Sequence, residues 1–594
     1  MTQPDASNTI PWRDWSEQAF QDARSQDKPV LLTMGATWCH WCHVMDQTSY
    51  ADDRVIRLVN SAFIPVRVDV DQRPDISLRF NQGTYPSVAF LTGEGEFLAG
   101  RPYTPPDEMA ALLERISSGE FVPETQAGDG TASPATTPGV GSSSDAVLSR
   151  LTDLYDDSFG GFGLEPKQPP WEALSFLSAR YGLTEDRQTL LMVESTLRGM
   201  LHGIYDPKDQ GFFRYAVSRD WKVPHYEKML VSNSNLLLAY LAAYQITRRA
   251  LYRSAAEGIL AYLETTLFNP TEGLFFASQD ADEPFYQSSW KDRDAAPEPP
   301  IDRTLYSGWN ALTAHALIES ANVLRRPAIG VMGADILAKL WEESWTDSGG
   351  LTRQVRSSSD TMPVLIDQVY FLRAWLALYQ STGQPEPLAR AIQVADTIQR
   401  LFGASGGGCY DTTASQSFES SILRREQPVL DNSLLAEALL TLAHLTGDEG
   451  YHARAEATLS IFEPVVPGKS YFGNHASRRM EEDEEALFLP AGAAWGRARD
   501  FLTHGPVSLV LVGDSSSPAY RRLHQSVLRV NAPHRIVQPL DTARDADQIR
   551  RLGFPPNADP TLYACVGFAC LPPITTPDGV REMARSRAWT SLSP

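Results

Sequence analysis

The sequence predicts a multidomain α/β plus all-α protein: an N-terminal α/β domain, a central barrel of helical hairpins, and a small C-terminal α/β appendix. Three observations predict it. A chain of 594 residues exceeds what one hydrophobic core fills, since cores stop growing near roughly 250–300 residues. A stretch rich in Gly, Pro, Ser and Thr, beginning GEFVPETQAGDGTASP, has the composition of a flexible linker. Beyond it the apolar spacing changes to three- and four-residue intervals sustained over several long runs. The boundaries expected are 1–118, a linker at 119–145, the barrel at 146–504 and the appendix at 505–594.

Charge and composition remove several classes of function. The formal charge is −21, from 52 basic and 73 acidic residues, which leaves no broad cationic face for nucleic acid or an anionic membrane surface. The N-terminus MTQPDASNTIPWRDW has no basic segment followed by an apolar run, and no stretch of about 18 apolar residues occurs. A soluble, cytoplasmic protein is expected. Five cysteines in a chain this long are no disulfide framework, so a closely spaced pair points to redox or metal chemistry. No feature fixes an oligomeric state.

In the first domain, KPVLLTMGAT (28–37) reads as a short strand and the segment after Cys42 as an amphipathic helix. Between them lies TWCHWCH (37–43). Cys-x-x-Cys-His is the haem-attachment spacing, but attachment follows export and no export signal is visible. A structural zinc needs four ligands, usually as two separated pairs, and no second Cys or His cluster follows within 150 residues. Two buried, inert thiols are the plain alternative. A dithiol fits best: at a strand-to-helix junction Cys39 meets the free N–H groups and positive end of a helix, which favour a thiolate. IPVRVDVDQRP (64–74) reads as the next strand. Pro86 opens another at TYPSVAFLT (84–92), where no ladder hydrogen bond is lost.

Strand, WCxxC, helix, strand and a Pro-initiated strand resemble a thioredoxin domain. That resemblance implies a cis Tyr85–Pro86 bond facing the cysteines. NTIPWRDWSEQAF, WCHWCHVM and VRVDVDQRPDI, with GGFGLEPKQPPW, PHYEKMLVSNSNLLLAY, FASQDADEP, LYSGWNALTAHAL and YACVGFACLPPITTPDGV further on, resemble the spermatogenesis-associated protein 20 family in its order. The chain departs from that pattern at NQGTYPSVAF, where relatives carry Gly-Gly-Trp-Pro, and at Asp431-Asn432-Ser433, where many read Gly-Asn-Ser.

From 146 to 504, helix pairs are punctuated by GGFG, QGFFRY, EGLFFAS, GGLTRQ and GGGCYD. Recurrence of one unit signals a repeat architecture. About six pairs closing in a ring give an (α/α)6 barrel; an open solenoid is the alternative. The resemblance implies the same barrel, akin to N-acylglucosamine 2-epimerases and six-hairpin glycosidases. The appendix reads as three short strands and a helix, with Cys565 and Cys570 as structural thiols.

The candidate catalytic set in the first domain is Cys39, Cys42 and Pro86, with Cys39 the exposed attacking thiol and Cys42 the resolving one. In the barrel, polar residues of the aromatic-hairpin loops are expected to line the cavity: His225, Glu227, Lys228, Asp280, Asp282, Glu283, Trp309, Asn310 and Asp367. Paired carboxylates suit glycoside hydrolysis, and histidines suit proton transfer in epimerisation. The plain alternatives are that the DADE segment caps a helix and that His225 and Glu227 tie neighbouring loops. No metal or cofactor is expected. The preferred function is thiol-disulfide exchange on a protein client, with a barrel that binds the client or a carbohydrate. A sugar-active barrel with an accessory thioredoxin domain, and a non-catalytic scaffold, are the alternatives, since a fold does not decide function.

Overall fold

The computed structural model describes residues 9–120, 143–356, 362–413, 422, 424–463 and 484–592. Of the linker expected at 119–145, residues 121–142 fall outside these.

The first domain has helices α1 (Glu17–Gln26), α2 (His40–Gln47), α3 (Asp53–Ala62), α4 (Pro74–Phe80) and α5 (Pro106–Ser117), and strands β1 (Val30–Gly35), β2 (Ile64–Asp69), β3 (Ser87–Leu91) and β4 (Phe97–Arg101). The strands form one sheet in the order β2-β1-β3-β4. β1 runs parallel to β2 and antiparallel to β3. β1 is buried on both faces, which is why its sequence is a continuous apolar run rather than an alternation. α3 and α5 cover one face through Val55, Val59, Met109 and Leu113. The other face, with Leu32, Met34 and Ala89, joins the main core.

Six inner helices, Trp171–Thr184, Leu230–Thr247, Ser307–Leu324, Leu365–Thr382, Val429–Thr446 and Glu484–His504, contact one another in that order, and the last packs on the first. The ring is closed, so the region is a barrel and not a solenoid. Outer helices Arg187–Gly203, Ala250–Tyr262, Pro327–Glu343, Pro385–Phe402 and Glu449–Ser460 each follow an inner one. The sixth outer helix is Ser144–Leu154, which packs on Glu484–His504. The first helix of the region thus completes the hairpin opened by the last. This long-range pairing locks the ring.

The glycine punctuation forms tight hairpins, and a buried amide from the first turn of the next inner helix holds four of them. Asn233 accepts from the Phe212 N–H at 2.8 Å and donates to its carbonyl at 3.0 Å. Asn310 does the same to Phe275, Gln368 to Leu351 and Asn432 to Cys409. Each amide satisfies a backbone donor and acceptor that burial would otherwise leave unpaired.

The appendix is a four-stranded sheet, one strand more than expected, because residues 569–570 fold back on Thr561–Val566. That hairpin sets Cys565 opposite Cys570 with Cα atoms 4.0 Å apart, and the two are bonded rather than free. The sheet docks on the C-terminal ends of the inner helices. Gln380 accepts from the Val537 N–H at 2.9 Å, His444 meets Ser508 at 2.8 Å, and Arg535 pairs with Glu319 at 3.2 Å. The N-terminal ends of the inner helices face the first domain. Among the described residues no helix is long and apolar enough to cross a membrane.

Candidate active site

β1 ends at Gly35, a short turn follows, and Cys39 caps α2. Its Sγ accepts the Cys42 N–H at 3.2 Å, the helix-terminus contact that stabilises a sulfur anion. Cys39 and Cys42 are joined as a disulfide. A β-carbon at Gly35 would lie 3.0 Å from Cys42 Sγ, so glycine is what leaves room for that sulfur. The Tyr85–Pro86 bond is cis, and Pro86 lies just before β3 rather than in it. Pro86, Cys42, His43 and Asp69 line one pocket of about 220 Å³.

Asp69 ends β2 directly beside Gly35. One of its oxygens accepts the N–H groups of Asp71 and Gln72 at 2.9 and 3.0 Å. Burial, with the Asp71 charge adding to it, pushes the Asp69 carboxyl up to about 7. A group titrating there exchanges protons readily near neutral pH.

One expectation is reversed. Cys39 is only 3% exposed, whereas Cys42 is half-buried. The physical reason is the barrel, which docks on residues flanking Cys39. Thr37 donates to Asp302 at 2.7 Å. The Arg214 guanidinium lies 4.0 Å above the Trp38 ring. His43 Nε2 stands 3.8 Å from Asp280. Trp38 in turn donates to Asp71 at 2.6 Å, and Arg353 donates to the Asp71 carbonyl at 2.8 Å. Arg79 of α4 reaches Asp411 at 2.8 Å.

The barrel residues named from the sequence separate into two groups. His225 Nδ1 meets the Glu227 carboxylate at 2.5 Å, and its ring stacks on Tyr215 at 4.8 Å. A three-stranded ribbon of Lys228–Met229, Ser278–Gln279 and Ile301–Asp302 brings Glu227, Asp280 and Asp302 to one rim. Burial raises the Asp280 carboxyl and Glu227 adds to the rise, while the Ala281 N–H and His43 oppose it. Trp309 lines the cavity under the first domain. Asp280 thus meets His43 beside the second cysteine, and Trp309 shares its cavity with Trp38 beside the first.

The others do not act as expected. Asp282 accepts the Phe285 N–H at 2.9 Å and caps the helix Glu283–Gln287, which answers for the DADE segment. Asn310 is fully buried and spent on the Phe275 clamp. Lys228 is buried against Asp206 at 2.8 Å. Asp367 is fully buried and bound by Arg353 at 2.6 Å. Burial pushes it up to about 6 against the pull of that guanidinium.

Sequence reasoning missed Asp69, Arg214 and Arg353. The VDVDQRP string and the QGFFRY and GGLTRQ turns held them in view, but only the docking of two domains gives them partners. It also left Asp431 as a departure from pattern. In the structure its carboxyl is pushed up to about 8 by burial and by the nearby Asp411 and Asp367 charges. Among the described residues no three His, Cys, Asp or Glu side chains form a metal-ligating group.

Residues 2–118 match the family Thioredox_DsbH, described as "Protein of unknown function, DUF255". The whole chain is 24% identical to Spermatogenesis-associated protein 20 of Homo sapiens, over 97% of this chain and 90% of that protein. The first domain also shares 24% identity over 102 residues with the thiol:disulfide interchange protein DsbD of Campylobacter jejuni, 16% of this chain and 18% of that one. A sugar epimerase from a ruminal bacterium superposes with a TM-score of 0.50 at 12% identity, over 61% of this chain and 97% of that one, which shows a shared fold. From end to end, therefore, the chain is similar to the spermatogenesis-associated protein 20 family: a thioredoxin-like domain followed by a six-hairpin helical barrel.

Proposed function

We propose that the protein is a thiol-disulfide oxidoreductase working through Cys39 and Cys42, with a barrel that binds the client or a carbohydrate on it. The observation that carries the reading is the Cys39 sulfur at the head of α2, accepting the Cys42 N–H, next to a more open Cys42. The likeness of the first domain to a thiol:disulfide interchange protein supports it.

In the docked arrangement a client thiolate attacks Cys42 Sγ. The Cys39–Cys42 bond breaks, a client–Cys42 disulfide forms, and Cys39 leaves as a thiolate held by the helix N-terminus. A second client thiolate then attacks its own sulfur in the mixed disulfide. The client disulfide forms, Cys42 leaves as a thiolate, and Asp69 supplies the proton it takes up. Two electrons pass from the client to the cysteine pair; the reverse sequence reduces a client disulfide.

A hydrolytic barrel has less support. Of the carboxylates named above, Glu227 is held by His225, Asp282 by a backbone N–H and Asp367 by Arg353. Asp280 likewise accepts the Ala281 N–H at 2.7 Å, and Glu283 is exposed at the start of a short helix. The named set therefore falls short of the free pair that glycoside hydrolysis needs.

The test is trapping. Cys39→Ser and Cys42→Ser variants are exposed to a lysate, and mixed disulfides are identified by mass spectrometry. The expected result is specific client capture, more through Cys42 of Cys39→Ser than through Cys39 of Cys42→Ser. Absence of capture by both variants rejects the reading.

A further inference from the structure

Between the first domain and the barrel mouth lies a cavity of about 520 Å³ that neither domain makes alone. Trp38 and Tyr85 line it from one side, and Arg214, Trp309, Arg353 and Tyr370 from the other. Its size falls within the range of pockets that hold small ligands, roughly 300–1,000 Å³.

Three guanidinium groups reach this cavity, and they are not equivalent. Arg79 is neutralised by Asp411 at 2.8 Å and Arg353 by Asp367 at 2.6 Å. Arg214 lies 4.0 Å over Trp38 and 5.6 Å from the Tyr215 ring. No carboxylate of the described residues comes within ion-pair distance of it. Stacking on a ring face leaves the in-plane N–H donors of a guanidinium free. Asp71 lines the same cavity and feels the Arg214 charge, but it is already engaged by the Trp38 N–H, and burial raises its carboxyl, which lessens its compensation of Arg214. A half-buried, unpaired guanidinium beside aromatic walls is the arrangement that recognises an anionic group on a small organic body.

We infer that this interdomain cavity binds a small molecule carrying a carboxylate or phosphate ester, with Arg214 holding the anion and Trp309 and Tyr370 packing on the body. The inference concerns binding only. It stands apart from the dithiol chemistry and is tested without it.

The experiment is calorimetric titration of the full-length Cys39→Ser/Cys42→Ser protein with D-glucuronate, D-glucose 6-phosphate and, as the neutral control, D-glucose. At least one anion is expected to bind about 10- to 100-fold tighter than glucose, the worth of one charge-assisted contact. Binding of glucuronate alone identifies a carboxylate site, and binding of the phosphate alone identifies a phosphate site. Arg214→Gln is expected to erase the preference, and Arg214→Lys to keep part of it. Circular dichroism checks that both variants remain folded. Equal affinity for glucose, no binding by either anion, or an Arg214→Gln protein that binds the anion unchanged overturns the inference. Failure of client trapping leaves it untouched, because the titrated protein has neither thiol.

Discussion

Thr37, two residues before the first cysteine, donates its hydroxyl to Asp302 of the barrel at 2.7 Å across 265 positions of sequence. Together with Arg214 over Trp38, this contact closes the barrel over Cys39. Loosening it is expected to open the disulfide. Thr37→Val removes one hydrogen bond to a carboxylate, of order 1 kcal/mol. It should raise the rate of disulfide reduction by dithiothreitol roughly 5-fold, since 1.4 kcal/mol is a factor of ten. Alkylation of quenched samples reads the rate, and an unchanged rate contradicts the docking account.

Asp69 predicts a pH dependence with a definite sign. Its carboxyl titrates at about 7 in the fold against 3.8 in the free state. Between those values the folded protein holds more protons than the unfolded one, so this residue's contribution to stability falls as pH rises through the window. Asp69→Asn keeps an oxygen for the Asp71 and Gln72 N–H groups and cannot ionise. Its melting temperature is expected to match the parent near pH 4 and to exceed it above pH 7, in thermal scans at a series of pH values. A constant difference across that range counts against the buried-acid assignment.

On the proposed proton transfer from Asp69, which lines one pocket with Cys42, the same substitution should slow the release of Cys42. The pH profile of client oxidation is expected to lose its inflection near 7 in Asp69→Asn, measured by stopped-flow fluorescence. An intact inflection assigns it to another group.

Asn310 should behave as a structural residue. Replacing it with alanine strands the buried N–H and carbonyl of Phe275, at a cost of about 2–3 kcal/mol by the penalty for unsatisfied buried groups. Urea unfolding measures the loss. Asn233→Ala and Asn432→Ala are expected to cost similar amounts, while dithiol exchange in each folded protein stays near the parent rate.

The helix-capped Cys39 thiolate stabilises the reduced state, and a more stable reduced state is a stronger oxidant. The midpoint potential of the Cys39–Cys42 pair against glutathione is expected to lie above the thioredoxin value of about −270 mV. A value at or below that figure removes the argument.

Much of this protein is legible in local sequence. The continuous apolar run of β1, the TWCHWCH turn and Pro86 before β3 place a dithiol at a helix start, because strand burial and helix capping act over a few residues. The three- and four-residue apolar spacing of the barrel helices, and the glycine hairpins between them, give the repeat, since both depend on neighbours in the chain. The roles of single polar residues were less legible. Asn310 reads like a ligand-binding amide until the Phe275 backbone is seen against it, and Asp282 reads equally as a catalytic acid or a cap.

Sequence by itself determined the two kinds of domain, the cysteine pair and its place at the end of a strand. Only the tertiary structure decided that the ring closes by joining Ser144–Leu154 to Glu484–His504, and that the barrel mouth lies against the dithiol. It also decided that Cys39 is covered while Cys42 is half-buried, and that Arg214 has no carboxylate at ion-pair distance among the described residues. The physical reason is the same for all four. Burial and ion pairing depend on distances between segments tens to hundreds of residues apart, and no local pattern of side chains encodes those distances.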